Sequence, residues 1–173
     1  PPAPDGLGPV TYVVVRKQGG PLAHPGDGVR IAEVSEAELE DVPPVAGEVV
    51  GYAVLARRNE VDSLTAVTLA PFPFLPDVKN VRVRLKGGEV ILTWTPSPQT
   101  TEVRVIRKVG APPQNARDGE RIASSLEHSI DPKAGDTEFV HYGIYAAYRL
   151  ADGRLYPAPG VVVTAPSSAD SPS

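Results

Sequence analysis

Cysteine and methionine are both absent from the 173 residues. Without cysteine there is no disulfide framework, no thiolate zinc site and no cysteine nucleophile, while the compartment is left open. A chain that opens Pro1-Pro2 and holds no methionine reads as a fragment excised from something longer. No apolar run approaches the ~18 residues that a spanning helix needs, and no secretory signal pattern is visible. Concentrated positive charge is missing too. Residues 1–76 carry 5 basic and 10 acidic side chains, and residues 77–173 carry 12 and 11. Neither part has the cationic stripe that a phosphate backbone selects, so neither nucleic acid nor membrane is expected as a partner. No run spaces carboxylates as a calcium loop does, and no histidine pair stands at ligand spacing. With no phosphate-cradling glycine loop either, the expected cofactor and metal content is none.

Proline and glycine are plentiful instead, at 20 and 16 residues, and they fall between apolar runs rather than in one block. That is the punctuation of short strands joined by turns. The runs themselves recur. Tyr12-Val13-Val14-Val15-Arg16-Lys17 returns as Val103-Arg104-Val105-Ile106-Arg107-Lys108, and Asp27-Gly28-Val29-Arg30-Ile31-Ala32 as Asp118-Gly119-Glu120-Arg121-Ile122-Ala123, both 91 positions on. Glu48 to Ala56 returns as Glu138 to Ala146 at 90, and Val67-Thr68-Leu69-Ala70-Pro71 as Val162 to Pro166 at 95. Four blocks in one order, slipping only between blocks, predict two copies of one unit. The blocks are rich in β-branched residues and too short for ordinary helices, so they read as strands, with Asp27-Gly28, Gly87-Gly88, Asp118-Gly119 and Asp152-Gly153 as turns. Ser35 to Asp41 has helical propensity, but seven residues cannot sustain a helix, and a strand or short turn is expected there.

The second copy resembles a fibronectin type III domain. Val78 to Leu85 is similar to strand A, and Glu89-Val90-Ile91-Leu92-Thr93-Trp94-Thr95-Pro96 to strand B with its core tryptophan. Glu102 to Lys108 is similar to strand C, Arg121 to Ala123 to C′, Leu126 to Ile130 to E, Phe139 to Tyr148 to F and Gly160 to Ala165 to G. The resemblance implies an all-β fold of two tandem immunoglobulin-like sandwiches. It implies spacing and contact roles, not catalysis. One departure is that Val50 and Val140 stand where the family often places a corner tyrosine in strand F.

The first copy starts late. Pro1 to Pro9 resembles the loop after the strand B tryptophan and Val10 to Lys17 resembles strand C, so strands A and B are missing and only C, C′, E, F and G remain. The expected divisions are 1–73 for this truncated unit, 74–166 for the complete one and 167–173 for a polar tail. Tyr12, Val14, Tyr52, Val54 and Ala56 should then line an inner face without cover, a patch that tends to find a partner. A neighbouring chain, a second copy through self-association, or the second unit is expected to cover it. Pro71-Phe72-Pro73-Phe74-Leu75-Pro76 is proline-stiffened, which predicts a fixed or narrowly hinged junction with Phe72 or Phe74 packed between units.

Candidates for chemistry are few. His24 lies in a turn-rich loop and reads as solvated. Ser125, His128 and Asp131 recur every three residues, yet on a strand they would point to alternate faces, unlike a convergent triad. Glu36, Glu38, Glu40 and Asp41 read as a solvated acidic edge. The outer face of strands C and F gathers Arg104, Ile106, His141 and Tyr145, an arginine-and-aromatic mixture suited to a binding contact. In the first copy that face holds Val13, Val15, Val49 and Leu55, apolar enough to be buried in a parent protein. The expected function is that of a non-catalytic spacer and protein-interaction module of a larger multidomain protein. The proline, alanine and arginine bias suggests a bacterial one. Its partners would be a protein or neighbouring domains of the parent chain. The alternative is an accessory module of a polysaccharide-acting enzyme, whose sugar-stacking candidates are Tyr145, Tyr148 and Tyr156.

Overall fold

A computed structural model describes residues 8–133 and 139–165. The loop expected at residues 1–7 and the tail 167–173 lie outside the described residues. The chain separates into two compact units, Pro1–Phe74 and Leu75–Ser173. Apart from a single short turn of 3-10 helix at Pro25–Asp27, the regular structure among the described residues is all strand.

Unit 1 contains one sheet. Strands β1 (Val10–Gln18), β2 (Val29–Val34), β3 (Val49–Arg58) and β4 (Val61–Thr68) lie in the order β2-β1-β3-β4, and β5 (Phe72–Pro73) adds to the far end of β3. All pairings are antiparallel, with Tyr12 opposite Ala56, Val14 opposite Val54 and Arg16 opposite Tyr52. Asn59 and Glu60 both have positive φ, which makes the β3–β4 connection a two-residue hairpin turn of the type matched to strand twist.

Unit 2 contains two sheets. One holds β6 (Lys79–Lys86), β7 (Glu89–Thr95) and β10 (His128–Asp131) in the order β10-β7-β6. The other holds β8 (Glu102–Val109), β9 (Glu120–Ile122), β11 (Val140–Arg149), β12 (Leu155–Pro157) and β13 (Val161–Thr164), with β11 flanked by β8 on one side and β12 and β13 on the other. Gly87 and Gly88 supply the two positive φ values of the β6–β7 turn. Val90, Leu92 and Trp94 alternate onto the buried side of β7, and Val103, Val105, Tyr142, Ile144 and Ala146 onto that of β8 and β11. Trp94 Nε1 donates to the Leu126 carbonyl at 2.6 Å, so the indole is buried without orphaning its N–H. This is a fibronectin type III-like, immunoglobulin-type sandwich of A-B-E and C′-C-F-G sheets.

The all-β sandwich reading holds, and four details differ. Unit 1 forms no strand E: Glu38–Asp41 occupies that place in the repeat but has no regular structure. A strand needs a partner for its backbone groups, and in unit 2 β10 finds that partner in strand B, which unit 1 lacks. Secondly, β12 was not anticipated, being three residues with a proline. Thirdly, both rings of the junction belong to unit 1. Phe72 stacks on Tyr52 with centroids 6.0 Å apart, and Phe74 packs against Val14, Val50 and Tyr52.

Fourthly, the apolar outer face of unit 1 is covered by its own chain. Val13, Val15, Ala53 and Leu55 form a buried cluster with Leu22, from the segment between β1 and β2. Unit 2 repeats the device with Pro113, 91 positions on and likewise buried. The Asp-Gly pairs let this segment return. A Cβ on Gly28 would stand 2.7 Å from the Arg16 carbonyl oxygen, and one on Gly119 would stand 2.5 Å from that of Arg107. Both glycines are therefore required by close backbone approach, beyond any need of the turn.

Candidate functional site

Each unit carries a polar anchor, buried in unit 2 and half-buried in unit 1, built from the same three residue types at the same places. Arg107 on β8 lies opposite Tyr142 on β11, and both reach across to Asp131 on the facing sheet. Arg107 Nε donates to Asp131 Oδ2 at 2.8 Å, the Tyr142 hydroxyl donates to the same oxygen at 2.7 Å, and the Lys133 amide donates to Oδ1 at 2.9 Å. In unit 1 Arg16 Nη1 donates to both oxygens of Asp41 at 2.8 and 2.9 Å, and the Tyr52 hydroxyl donates to Oδ2 at 2.6 Å. Arg16, Asp41 and Tyr52 stand 91, 90 and 90 positions before Arg107, Asp131 and Tyr142. The acidic-edge expectation is thus wrong for Asp41, and the repeat itself held the signal: Asp41 maps onto Asp131 at the displacement of the flanking strand.

The electrostatics of the two anchors agree. Burial alone would push the Asp131 carboxyl up, but the Tyr142 hydroxyl, the Lys133 amide and Arg107 outweigh it and hold the group below the usual carboxylate range. Asp41 is likewise lowered, by Tyr52 and Arg16 against the opposing effect of burial. Burial first, then the adjacent carboxylate, raises both phenols, Tyr52 to about 12. A carboxylate and a phenol so held are charged and neutral respectively at neutral pH, and their geometry is spent on each other. The anchors tie strands together.

The same geometry disposes of the Ser125, His128 and Asp131 grouping. Ser125 Oγ lies 2.8 Å from His128 Nδ1, but Asp131 faces the interior while His128 is exposed on the opposite side of β10. Among the described residues no aspartate bonds the other nitrogen of that imidazole, as a triad would require. His24 is exposed and bonds Asp27 at 2.9 Å.

The expected binding face on β8 and β11 is not an open surface. Ile106 is 1% exposed and Tyr145 2% exposed. The segment between β8 and β9 folds over them: the Tyr145 hydroxyl donates to the Pro113 carbonyl at 3.4 Å, and Gly119 abuts Ile106. Gly143 and Gly160 leave the slot for the Tyr145 ring, since a Cβ on either would come within 2.5 Å of it. Arg104 is half-buried and paired with Glu102, and His141 Nδ1 lies 2.9 Å from Thr164 Oγ1. Strand alternation alone could not foresee a loop cover. The sugar-stacking candidates meet a similar end. Tyr148 is buried and donates to the Pro76 carbonyl at 2.7 Å, leaving only Tyr156 partly exposed, with its hydroxyl on Asp152.

The open surface is the inner face of unit 1. Here part of the equivalent of the unit 2 interior is uncovered: Val14, Val50 and Tyr52 remain buried, but Ala56 is exposed where Ala146 is buried, and Tyr12 and Val54 are half-buried where Val103 and Ile144 are buried. Together with Val67, Leu69 and Phe72 they line a groove of about 910 Å³. Glu36, Glu38 and Asp41 stand along its rim. The floor is apolar and shaped by a pleated sheet, which suits another set of alternating apolar side chains.

No protein-family model matches the chain, and no curated protein matches it in sequence. Among solved structures, the chicken CNTN1 FN1-FN3 domains align with 12% identity and a TM-score of 0.35 over 91% of this chain. The chain spans about half of that structure, 54% of its length. So low a score carries no argument, and the assignment of the fold rests on the strand order and pairing described above.

Proposed function

We propose that the chain is a non-catalytic spacer and protein-interaction element, a truncated and a complete fibronectin type III-like module in sequence, and that its contact surface is the open inner face of unit 1. One observation carries this reading: an apolar sheet face that unit 2 buries completely is left as a groove in unit 1, and a groove of that character is a contact site by default. The polar residues with the strongest mutual contacts are engaged in structural anchors, so the surface offers shape and apolar area rather than chemistry. A polypeptide partner suits it better than a glycan, because most of the apolar lining is aliphatic, with Val14, Val34, Leu39, Val54, Val67 and Leu69 outnumbering Tyr12, Tyr52 and Phe72.

An apolar dye tests the surface directly. The chain of residues 1–173 is expected to bind anilinonaphthalene sulfonate at one class of site, and Val67→Lys is expected to abolish most of that fluorescence. Val67 is 69% exposed within the groove, so the substitution places a charge there without opening a core. Dye binding that is absent, or that Val67→Lys leaves unchanged, would show that this face is not the contact surface.

A further inference from the structure

We infer that the outer edge of β6 in unit 2 is a second contact site, which takes an extended acidic segment of another protein as an added antiparallel strand. The site lies in the complete unit and is independent of the groove of unit 1. β6 is the end strand of the sheet β10-β7-β6, eight residues long and free of proline, and its register with β7 is regular from Arg82 to Lys86. The other edges of unit 2 are short or broken. β9 has three residues and β10 four, and Pro157 and Pro159 interrupt the edge formed by β12 and β13. Those are usual ways of blunting a sheet edge, and the stretch from Arg82 to Lys86 has neither. Its backbone is open as well. Gly87 and Gly88, both at positive φ, make the β6–β7 connection a two-residue turn, so Lys86 and Glu89 form a hydrogen-bonded pair. Counting back along the ladder, Arg84 and Arg82 also bond β7, while the N–H and C=O groups of Val83 and Leu85 point away from it. Outside that ladder no backbone bond reaches Val83 or Leu85 among the described residues.

Charge selects the partner. Arg82, Arg84 and Lys86 are exposed on one side of β6, and Val81, Val83 and Leu85 are half-buried on the other. The three cations stand opposite Thr93, Ile91 and Glu89 of β7, and none of them forms an ion pair among the described residues. This row works against a second copy of β6: paired antiparallel about Arg84, Arg82 would stand opposite Lys86 and Arg84 opposite its own counterpart, all like charges. A strand with a carboxylate at every second residue is matched instead. Its acids lie opposite Arg82, Arg84 and Lys86, at the non-hydrogen-bonded positions where facing side chains come closest. Its intervening apolar residues exchange hydrogen bonds with Val83 and Leu85 and extend the row those side chains form. The two arginines add planar forks that suit carboxylates. A sulfated sugar meets the charges but leaves the alternating N–H and C=O groups of Val83 and Leu85 without partners, so a polypeptide is the better fit.

The test titrates the capped peptide Thr-Glu-Val-Glu-Val-Glu-Thr into the chain of residues 1–173 at low ionic strength, and follows amide resonances and amide hydrogen exchange. With free peptide at about ten times its Kd, exchange at Val83 and Leu85 is expected to slow about tenfold. The amides of Arg82 and Arg84, already bonded to β7, should change little. Three alterations should each abolish the protection: Arg82→Glu with Arg84→Glu in the protein, lysine for glutamate in the peptide, and N-methylation of the two peptide valines. The last removes donors and keeps charge, and the two peptide changes leave the protein intact if the double variant fails to fold. No binding, or binding that leaves Val83 and Leu85 exchanging as before, overturns the inference. So does an N-methylated peptide that binds as well as its parent. Dextran sulfate that reproduces the peptide's shifts and displaces it would name an anionic sugar as the ligand and overturn it too. Loss of peptide binding on Val67→Lys would place the peptide in the groove of unit 1, overturning this inference while the contact-surface reading stands.

Discussion

Asp131→Ala is expected to lower the stability of unit 2 by about 3–5 kcal/mol, the cost of stranding one partner of a buried ion pair. Asp131 is 2% exposed, and its removal leaves the Tyr142 hydroxyl without its acceptor and the Arg107 guanidinium with only the more distant Glu120 carboxylate, at 3.8 Å. Trp94 is the sole tryptophan, so its fluorescence in a denaturant titration reports unit 2 alone. For a unit of this size the loss corresponds to a fall in Tm of at least about 12 °C. Replacing both charges, as in Asp131→Leu with Arg107→Met, should recover much of the loss, because an apolar pair of similar volume needs no partner. The matching Asp41→Ala in unit 1 should cost less, about 1–2 kcal/mol, since Asp41 and Arg16 have side chains 20% and 18% exposed and water replaces the lost partner.

The anchor also fixes the pH response. Because the Asp131 carboxyl is lowered on folding, its contribution is complete above the ordinary aspartate value of about 4 and is lost as pH falls through the lower folded value. Tyr142 is raised, so its contribution is complete below about pH 10 and is lost as pH rises through the folded value above that. Unit 2 should therefore hold a stability plateau at neutral pH with an acid limb, and Asp131→Ala should remove that carboxyl's share of the limb. An unchanged acid limb in the variant would mean that other carboxylates set it.

Trp94→Ala is expected to cost a further-reaching 3–5 kcal/mol, about what removal of a large buried aromatic takes from a core. The indole is 5% exposed in the interior of unit 2 and supplies one hydrogen bond, to Leu126, that alanine cannot make. The loss joins a cavity to an unpaired carbonyl at the start of β10, so the pairing of β10 with β7 should loosen with it. Calorimetry or far-UV circular dichroism must follow this variant, since the fluorophore is gone. The transition of unit 1 should stay where it is, and a change below about 1 kcal/mol would contradict the placement of Trp94 in a closed core.

Strands of unit 2 were legible because alternation, turn dipeptides and a repeat all spoke for the same assignment. Glu89 to Thr95 alternates buried and exposed along its whole length, and Gly87-Gly88 marks the turn before it. What escaped was whatever depended on distant chain. Ile106 and Tyr145 alternate outward as expected, but Pro113 and its neighbours come back over them, and nothing local to β8 or β11 announces that cover. Strand E of unit 1 failed for the opposite reason: its sequence is adequate, and its partner strand is missing. Asp41 was legible in principle. It lies outside the apolar blocks that carry the repeat, although Arg16 and Tyr52, its two partners, stand inside them.

Amide hydrogen exchange along residues 1–173 bears most directly on the claim that one half-sandwich is written twice, closed in unit 2 and open in unit 1. Amides of β7, β8 and β11 should exchange only through global opening of unit 2, whereas those of β1 and β3 should exchange far faster, with Glu38–Asp41 unprotected. Equal protection of β1 and β3 with β8 and β11 in the isolated chain would contradict it.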